Sequence, residues 1–264
     1  MRTQSLGQGN GAMVNGHRHA HEVDDDGPTR STAVIGMACR LPGQVSNPED
    51  FWKLCARRRS AWSEVPRSRF HQAAFHHPNA QRSGTFNPQG GHFLDDDVGR
   101  FDAPFFNITL QEAISLDPQQ RILLECTFEA LENAGISKQS LAGRNVGVFA
   151  GGSYPDYDVR NIRDPDTIPM HQATGAAMTM QANRISYYFD FNGPSFTVDT
   201  ACSSSLTALH LACQSLRNGE CSMAVVAGVH LNLTPELFVS MSLSRYVDTP
   251  NPLSVRLAVG NARH

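Results

Sequence analysis

The sequence lacks the features that mark a nucleic-acid-binding, membrane or secreted protein. Its 22 lysine and arginine residues and 25 aspartate and glutamate residues give a formal net charge of -3, so no basic excess is present to attract nucleic acid or anionic lipid. No apolar run approaches the length of about 18 residues that a transmembrane helix needs. Residues 1–10 are too polar for a secretory signal peptide. We therefore expect a cytoplasmic protein that binds neither nucleic acid nor a membrane.

Cysteine and histidine are present, but not in metal-binding patterns. The six cysteines include no C-x-x-C pair, which favours reduced and unpaired thiols over a zinc site or a disulfide framework. His17, His19 and His21 alternate within a polar segment that offers no ordered surroundings for a metal ion. The four histidines between residues 71 and 92 have no spacing typical of metal ligands. We therefore expect no bound metal.

Composition divides the chain into three parts. Residues 1–30 combine glycine, asparagine, histidine and aspartate with almost no large apolar side chains, which predicts a disordered leader. Residues 31–244 alternate short apolar strands with amphipathic helices, which predicts one α/β domain with a mixed or mostly parallel sheet. Residues 245–264 continue neither pattern and contain two closely spaced prolines. We expect them to form a tail outside the domain.

Local signals place the main elements of this domain. Apolar runs predict strands at 33–38, 146–150 and 223–229, and helical spacing predicts helices that begin at Pro48, at Pro118 and near Thr174. Asn47 and Asp117 are the expected N-caps of the first two helices. The strand at 223–229 is expected beside the strand that leads to Cys202, through a right-handed helical crossover. Residues 61–114, rich in proline, glycine and phenylalanine, predict a long ordered excursion that packs aromatic side chains over the sheet.

Cys202 stands where a strand meets a helix. Phe196 and Val198 alternate as strand residues do, and Pro194 can only begin that strand. The serines at 203–205 supply helix N-terminal chemistry. Four apolar residues at three- and four-residue spacing then predict a helix that ends before a glycine at position 219, with its buried face at Leu206, Leu209, Cys213 and Leu216.

This position makes Cys202 a candidate nucleophile. The unpaired N–H groups and the dipole at a helix N-terminus both favour an anion there, and the thiolate is the reactive form of cysteine. The alternative is that Cys202 is a small core residue without a chemical role.

Five motifs, taken together and in order, carry a family resemblance. They are residues 33–43 (AVIGMACRLPG), 116–121 (LDPQQR), 146–149 (VGVF), 183–187 (NRISY) and 193–205 (GPSFTVDTACSSS). They resemble the β-ketoacyl synthase (condensing) domains of polyketide and fatty acid synthases, and most of all those of fungal reducing polyketide synthases. The resemblance runs from about residue 33 to about residue 244. It implies the N-terminal half of a thiolase-like α/β fold.

The resemblance also implies an activity. Condensing domains catalyse a decarboxylative Claisen condensation, in which Cys202 would be the nucleophile and its backbone N–H would contribute to an oxyanion hole. An acyl carrier protein or domain would deliver the acyl and malonyl thioesters on its phosphopantetheine arm, and this domain itself would bind no cofactor. Residues 174–188 would form a subunit interface and a wall of the acyl pocket, which implies a homodimer.

The family places further catalytic groups, two histidines, a lysine and a glycine-rich loop, in a second half that residues 245–264 do not resemble. We therefore expect this chain to be truncated. His210 lies eight residues after Cys202 on the same helix, about 12 Å along its axis, which is too far for direct proton transfer. His230 follows the neighbouring strand and is either a group that supports the site or a plain surface residue.

Alternatives to this activity stay open. The chain is either an enzyme of polyketide biosynthesis, as the resemblance implies, or a catalytically inactive remnant or interaction module of a polyketide synthase. A cysteine hydrolase is a third reading, but it needs a histidine and an aspartate in hydrogen-bonding order beside the cysteine.

Overall fold

The structure, a computed structural model, describes residues 31–79 and 81–244. The expected leader at 1–30 and tail at 245–264 lie outside the described residues. The helices are α1 Pro48–Ala56, α2 Gln72–Phe75, α3 Leu110–Ser115, α4 Pro118–Asn133, α5 Lys138–Leu141, α6 Asp156–Asn161, α7 Gln172–Ala176, α8 Met180–Phe189, α9 Ser204–Asn218 and α10 Glu236–Leu243. The strands are β1 Ser63–Glu64, β2 Gly90–Gly91, β3 Val146–Gly152, β4 Ser195–Val198 and β5 Met223–Val229. Two 3-10 helices cover Pro165–Thr167 and Ala201–Ser203.

The main sheet is parallel and has the order β4-β3-β5, with β3 in the centre. Val148 of β3 lies opposite Ser195 of β4 and Val225 of β5. The two-residue strands β1 and β2 form a separate antiparallel pair. The prediction of an α/β fold built on a parallel sheet is therefore confirmed.

Helices cover both faces of β3, so every residue of this strand is buried. Val146, Val148 and Ala150 belong to a core cluster that includes residues of α4 and α8. Phe149 points to the other face and packs with Ala208 and Ala212 of α9. The alternation of side chains along the strand thus produces a three-layer arrangement of helix, sheet and helix.

The expectation that β5 lies beside the Cys202 strand is wrong. β5 pairs with β3, and β3 separates it from β4. The cause is the width of the connecting helix: a helix is about 10 Å across, whereas strands are about 4.8 Å apart, so a crossover helix that packs on the sheet readily spans an intervening strand.

The buried face of α9 differs from the predicted one, of which only Leu216 packs against the core cluster around Phe149. Ser204, Ala208, Ala212 and Ser215 face the sheet, whereas Leu206 is 68% exposed and Leu209 is 42% exposed. Both stripes satisfy three- and four-residue spacing, and the sheet selects the smaller side chains because they allow closer approach. The helix ends as predicted, with Gly219 in the left-handed region at φ 73°.

Residues 33–38 do not form the predicted strand. They make no strand pairing within the described chain, and Val34 and Ile35 are exposed. The segment lies instead against the end of α4, where a Cβ added to Gly36 would stand 2.2 Å from the carbonyl oxygen of Ala130. The backbone N–H of Met37 donates to Asn133 Oδ1 at 3.0 Å, so its hydrogen bond goes to a helix side chain.

The helix predicted over 174–188 is two helices, α7 and α8. The carbonyl of Gly175 accepts hydrogen bonds from the Asp117 N–H and the Gln120 side chain, which draw it away from a helical partner. The N-caps were predicted correctly: Asn47 accepts from the Asp50 N–H and Asp117 from the Gln119 N–H.

The excursion at 61–114 packs phenylalanine side chains in two places: Phe106 joins the core cluster that contains Val148 of the sheet, as predicted, and a second group packs against α10. Phe86 and Phe93 form a buried cluster with Phe238 of α10. Across the part of the chain that the structure describes, no helix is long and apolar enough to cross a membrane, and no group of three or more histidine, cysteine, aspartate or glutamate residues is arranged to hold a metal ion.

Candidate active site

Cys202 lies in the 3-10 turn that connects β4 to α9, and its side chain is exposed. The preceding residue, Ala201, has φ 56°, a left-handed conformation that residues with a Cβ seldom adopt. This conformation turns the chain sharply at the end of the strand. The prediction of a strand, a turn and a helix with Cys202 at the junction is confirmed.

Side-chain hydrogen bonds hold this strained turn in place. Asp199 Oδ1 accepts from the Ala201 N–H at 2.8 Å. Ser204 Oγ accepts from the Thr200 N–H at 2.9 Å and donates to the Ala201 carbonyl at 2.7 Å. Ser203 does not cap α9 with its side chain, but donates back to Thr200. The hydroxyl run thus fixes the turn instead of capping the helix.

Two glycines bring the first turn of α9 down onto the sheet. A Cβ added to Gly151 of β3 would lie 2.4 Å from the backbone carbon of Ser204, and one added to Gly228 of β5 would lie 2.6 Å from the Cβ of Ser205. Both distances are shorter than real contacts allow, so a larger residue at either position would displace α9. Cys202 is therefore held close to the carboxyl edge of the sheet.

The loop after β5 lies at the same edge. His230 Nδ1 is 3.3 Å from the carbonyl oxygen of Ser153, which follows β3. His230 Nε2 is 3.0 Å from Asn232 Oδ1. Carboxyl ends of parallel strands meet at one edge of a sheet, which is where open α/β folds bind ligands. Cys202 and His230 are both presented there.

Two buried side chains hold the loop after β5 in place through hydrogen bonds. Asp156 Oδ2 accepts from the N–H groups of Leu233 and Thr234 at 2.8 and 3.1 Å. Gln119 Oε1 accepts from the Leu231 N–H at 3.2 Å. Burial raises the pKa of Asp156, against these backbone hydrogen bonds and the nearby His230, which lower it.

Gln119 links the loop to a second buried carboxyl group. Its side-chain amide donates to Asp117 Oδ2 at 3.1 Å, and Asp117 is 2% exposed. Burial raises the pKa of Asp117 to about 6, although the Gln119 hydrogen bonds and the Arg121 charge oppose this shift. The motif at 116–121 therefore builds a polar core beneath the carboxyl edge, a role that the sequence did not reveal because the partners come from distant segments.

The other candidates lie apart from this edge or in less reactive surroundings. His210 is exposed on α9 and shares no hydrogen bond with the Cys202 turn among the described residues. Cys126 is half-buried, whereas Cys202 is exposed, and burial raises the pKa of the Cys126 thiol to about 12. Asp156 and Gln119 are the residues that sequence reasoning missed; the only local signal for Gln119 was its place in the motif at 116–121.

Comparison with known proteins gives one consistent result. A family model described as beta-ketoacyl synthase, N-terminal domain, matches residues 29–256. Highly-reducing polyketide synthase 1 of Aureobasidium melanogenum is 61% identical over 210 residues, which cover 80% of this chain and 10% of that protein. Lovastatin diketide synthase lovF of Aspergillus terreus is 49% identical over 220 residues, which cover 83% of this chain and 9% of that protein.

Solved structures agree with the sequence relatives. The oxazolomycin ketosynthase domain OzmH KS7 of Streptomyces albus JA3453 superposes with a TM-score of 0.73 at 36% identity, covering 80% of this chain and 36% of that one. The ketosynthase from module 6 of the bacillaene synthase of Bacillus subtilis 168 gives a TM-score of 0.71 at 36% identity, covering 80% and 34%. The chain thus spans about a tenth of the curated relatives and about a third of the solved chains.

Proposed function

The chain belongs to the β-ketoacyl synthase family, in the form found in fungal highly reducing polyketide synthases, and on that premise we propose that Cys202 accepts the acyl group in the decarboxylative condensation of polyketide biosynthesis. The observation that carries this proposal is the turn at Cys202. A strained residue, Ala201, and a set of side-chain hydrogen bonds present one exposed thiol at the start of a 15-residue helix.

The first step is an acyl transfer. The Cys202 sulfur attacks the carbonyl carbon of an acyl thioester on the phosphopantetheine arm of an acyl carrier partner; the new S–C bond forms, and the thiol of the arm leaves. Negative charge develops on the carbonyl oxygen during the attack. The backbone N–H of Cys202 is the donor that we assign to that oxygen, and losing one such donor typically costs about 10²–10³ in rate.

The second step forms the carbon–carbon bond. A malonyl thioester loses CO₂, the resulting enolate carbon attacks the acyl carbon on Cys202, and the thiolate leaves. This step needs hydrogen-bond donors at the malonyl carbonyl, because the enolate carries negative charge there. His210 lies too far from Cys202 along α9. Within the described chain, His230 is the histidine at the carboxyl edge of the sheet, where Cys202 also lies.

The wider assignments rest on the same family membership. We propose that the acyl carrier is the macromolecular partner, that the phosphopantetheine arm is its prosthetic group and not one of this chain, and that the chain forms a homodimer in the cytoplasm. The unpaired state of all six cysteines supports a reducing compartment.

Intact-mass spectrometry with an acyl carrier thioester tests the proposal. The chain should gain the mass of one acyl group, Cys202→Ala should gain none, and the matched variant Cys213→Ala, on the same helix, should behave like the wild type. If Cys202→Ala is acylated as fast as the wild type, Cys202 is not the nucleophile, and the interaction-module alternative becomes the better account.

A further inference from the structure

The peptide unit that joins Ala201 to Cys202 is held at its carbonyl end by one residue. The backbone N–H of Ser204 donates a hydrogen bond to the carbonyl oxygen of Ala201. The hydroxyl of Ser204 donates a second hydrogen bond to the same oxygen, at 2.7 Å. Because Ser204 is the first residue of α9, both bonds direct this carbonyl toward the start of the helix.

The other end of this peptide unit is the N–H of Cys202. A trans peptide is planar, so its C=O and N–H groups point in opposite directions. Since the Ala201 carbonyl points toward α9, the Cys202 N–H points away from the helix. Among the described residues this N–H donates to no backbone group, and Ala201, Cys202 and Ser203 are all exposed. The Cys202 N–H is therefore free to donate to an oxygen of a ligand.

The hydrogen of the Ser204 hydroxyl has one direction. Ser204 Oγ lies 2.9 Å from the backbone N of Thr200, and because an N–H only donates, Oγ is the acceptor there. The Ala201 carbonyl only accepts, so the hydroxyl hydrogen points to it. Ser204 is 4% exposed, and its backbone packs against Gly151 of the central strand. The hydroxyl is therefore fixed in position as well as in direction.

A hydrogen bond at a carbonyl oxygen also affects the N–H of the same peptide unit. Hydrogen bonds in a chain polarise one another, by about 10–30% per bond. Two donors on the Ala201 oxygen draw electron density toward it and make the Cys202 N–H a stronger donor. The Ser204 hydroxyl thus acts on both the direction and the strength of this N–H.

We propose that Ser204 is a positioning residue for acyl transfer, whose hydroxyl orients and polarises the Ala201–Cys202 peptide so that the Cys202 N–H stabilises the negative charge on the thioester oxygen. The inference rests on the proposed function, which brings the acyl group to Cys202 and assigns this N–H to its oxygen. It adds that the donor depends on a buried hydroxyl that does not touch the substrate and keeps its own hydrogen throughout.

The test compares two reactions of the Cys202 thiol in the full chain at pH 7. One is acylation by the butyryl thioester of N-acetylcysteamine, and the other is alkylation by iodoacetamide. Both reactions consume the thiolate, but only acylation places negative charge on a carbonyl oxygen in the transition state. The ratio of the acylation rate to the alkylation rate therefore reports the oxyanion donor separately from the exposure and reactivity of the sulfur.

Ser204→Ala should lower this ratio by about 2- to 10-fold, the effect of one neutral hydrogen bond, with the alkylation rate unchanged. The loss is smaller than the 10²–10³ typical of removing an oxyanion donor, because the Cys202 N–H is still present. Ser204→Thr keeps a hydroxyl and should restore the ratio. Ser205→Ala is the matched control: it removes the hydroxyl of the next residue, which is exposed, and should change neither rate.

A spectroscopic measurement on the acylated chain tests the same hydrogen bond directly. The infrared stretching frequency of a ¹³C-labelled acyl carbonyl on Cys202 falls when a stronger donor binds its oxygen. Ser204→Ala should therefore raise this frequency, whereas Ser205→Ala should leave it at the wild-type value.

The outcomes separate the two proposals. If the wild type is not acylated at Cys202, the proposed function fails and this inference fails with it. If the wild type is acylated but Ser204→Ala leaves the rate ratio and the carbonyl frequency unchanged, the proposed function stands and the role of Ser204 is refuted. A loss of alkylation in Ser204→Ala as large as the loss of acylation would also refute it, because the hydroxyl would then support the turn as a whole.

Discussion

The reactivity of Cys202 relative to the other cysteines can be predicted from their surroundings. The perturbation is alkylation of the native chain with limiting iodoacetamide at pH 7. Cys202 is exposed at the start of α9, Cys213 is half-buried in the middle of the same helix, and Cys126 is half-buried in α4. Of these three, only Cys202 lies at the start of a helix.

The structure gives the size of the contrast with Cys126. Burial raises the pKa of that thiol to about 12 from the ordinary value of 9.0. Each pKa unit is a factor of ten in thiolate, so at pH 7 Cys126 has about 1,000-fold less thiolate than an ordinary cysteine. For Cys202 against Cys213, the difference lies in access: Cys202 is exposed, whereas Cys213 is half-buried in the middle of α9.

The assay is site-resolved peptide mass spectrometry over a time course. Trypsin cleaves after Arg184 and Arg217, so Cys202 and Cys213 share one peptide and fragmentation must distinguish them. The expected order is Cys202 first, Cys213 second and Cys126 last. Equal labelling of the three in the native chain would refute the reasoning, because it would show that the helix start confers no advantage. Labelling in denaturant, where the three should equalise, is the control.

Three further predictions follow from the fold. Burial raises the pKa of Asp117 to about 6 from 3.8, so the folded chain binds a proton more tightly than the unfolded chain. The free energy of unfolding should therefore fall by about 3 kcal/mol as the pH rises from about 4 to about 6. Denaturant titrations should show that this pH dependence is flattened in Asp117→Asn and kept in the exposed control Asp166→Asn. The exposed apolar side chains Leu206 and Leu209 should make the isolated chain self-associate, and a monodisperse, cooperatively melting monomer in light scattering and calorimetry would count against this. The 264-residue chain alone should release no CO₂ from a malonyl carrier thioester even when Cys202 is acylated, and release that Cys202→Ala abolishes would show that His230 or a partner supplies the missing donors.

Local signals in the sequence predicted local structure well. Asn47 and Asp117 cap their helices, Gly219 ends α9, and Cys202 lies between a strand and a helix, as expected. Each of these depends on residues within a few positions of one another, where backbone sterics and capping hydrogen bonds decide the outcome.

Features that depend on distant partners were missed. The position of β5 beyond β3 follows from the packing width of α9, and the choice of its buried stripe follows from Gly151 and Gly228 on two other strands. The support of the His230 loop by Asp156 and Gln119 joins segments 77 and 112 residues apart. No periodicity within one segment carries that information. The role of Cys202 itself, and of its N–H in an oxyanion hole, stays a prediction.

Locating an acyl group on the Cys202 side chain is the most direct test of the proposal that Cys202 is the nucleophile. After incubation of the chain with an acyl thioester at pH 7, fragmentation of the tryptic peptide 185–217 should place the added mass on Cys202 and none on Cys213, and hydroxylamine should remove it as expected for a thioester. Acyl mass on Cys213 or on several cysteines alike, or none on Cys202 while the turn still reacts with iodoacetamide, would contradict the account.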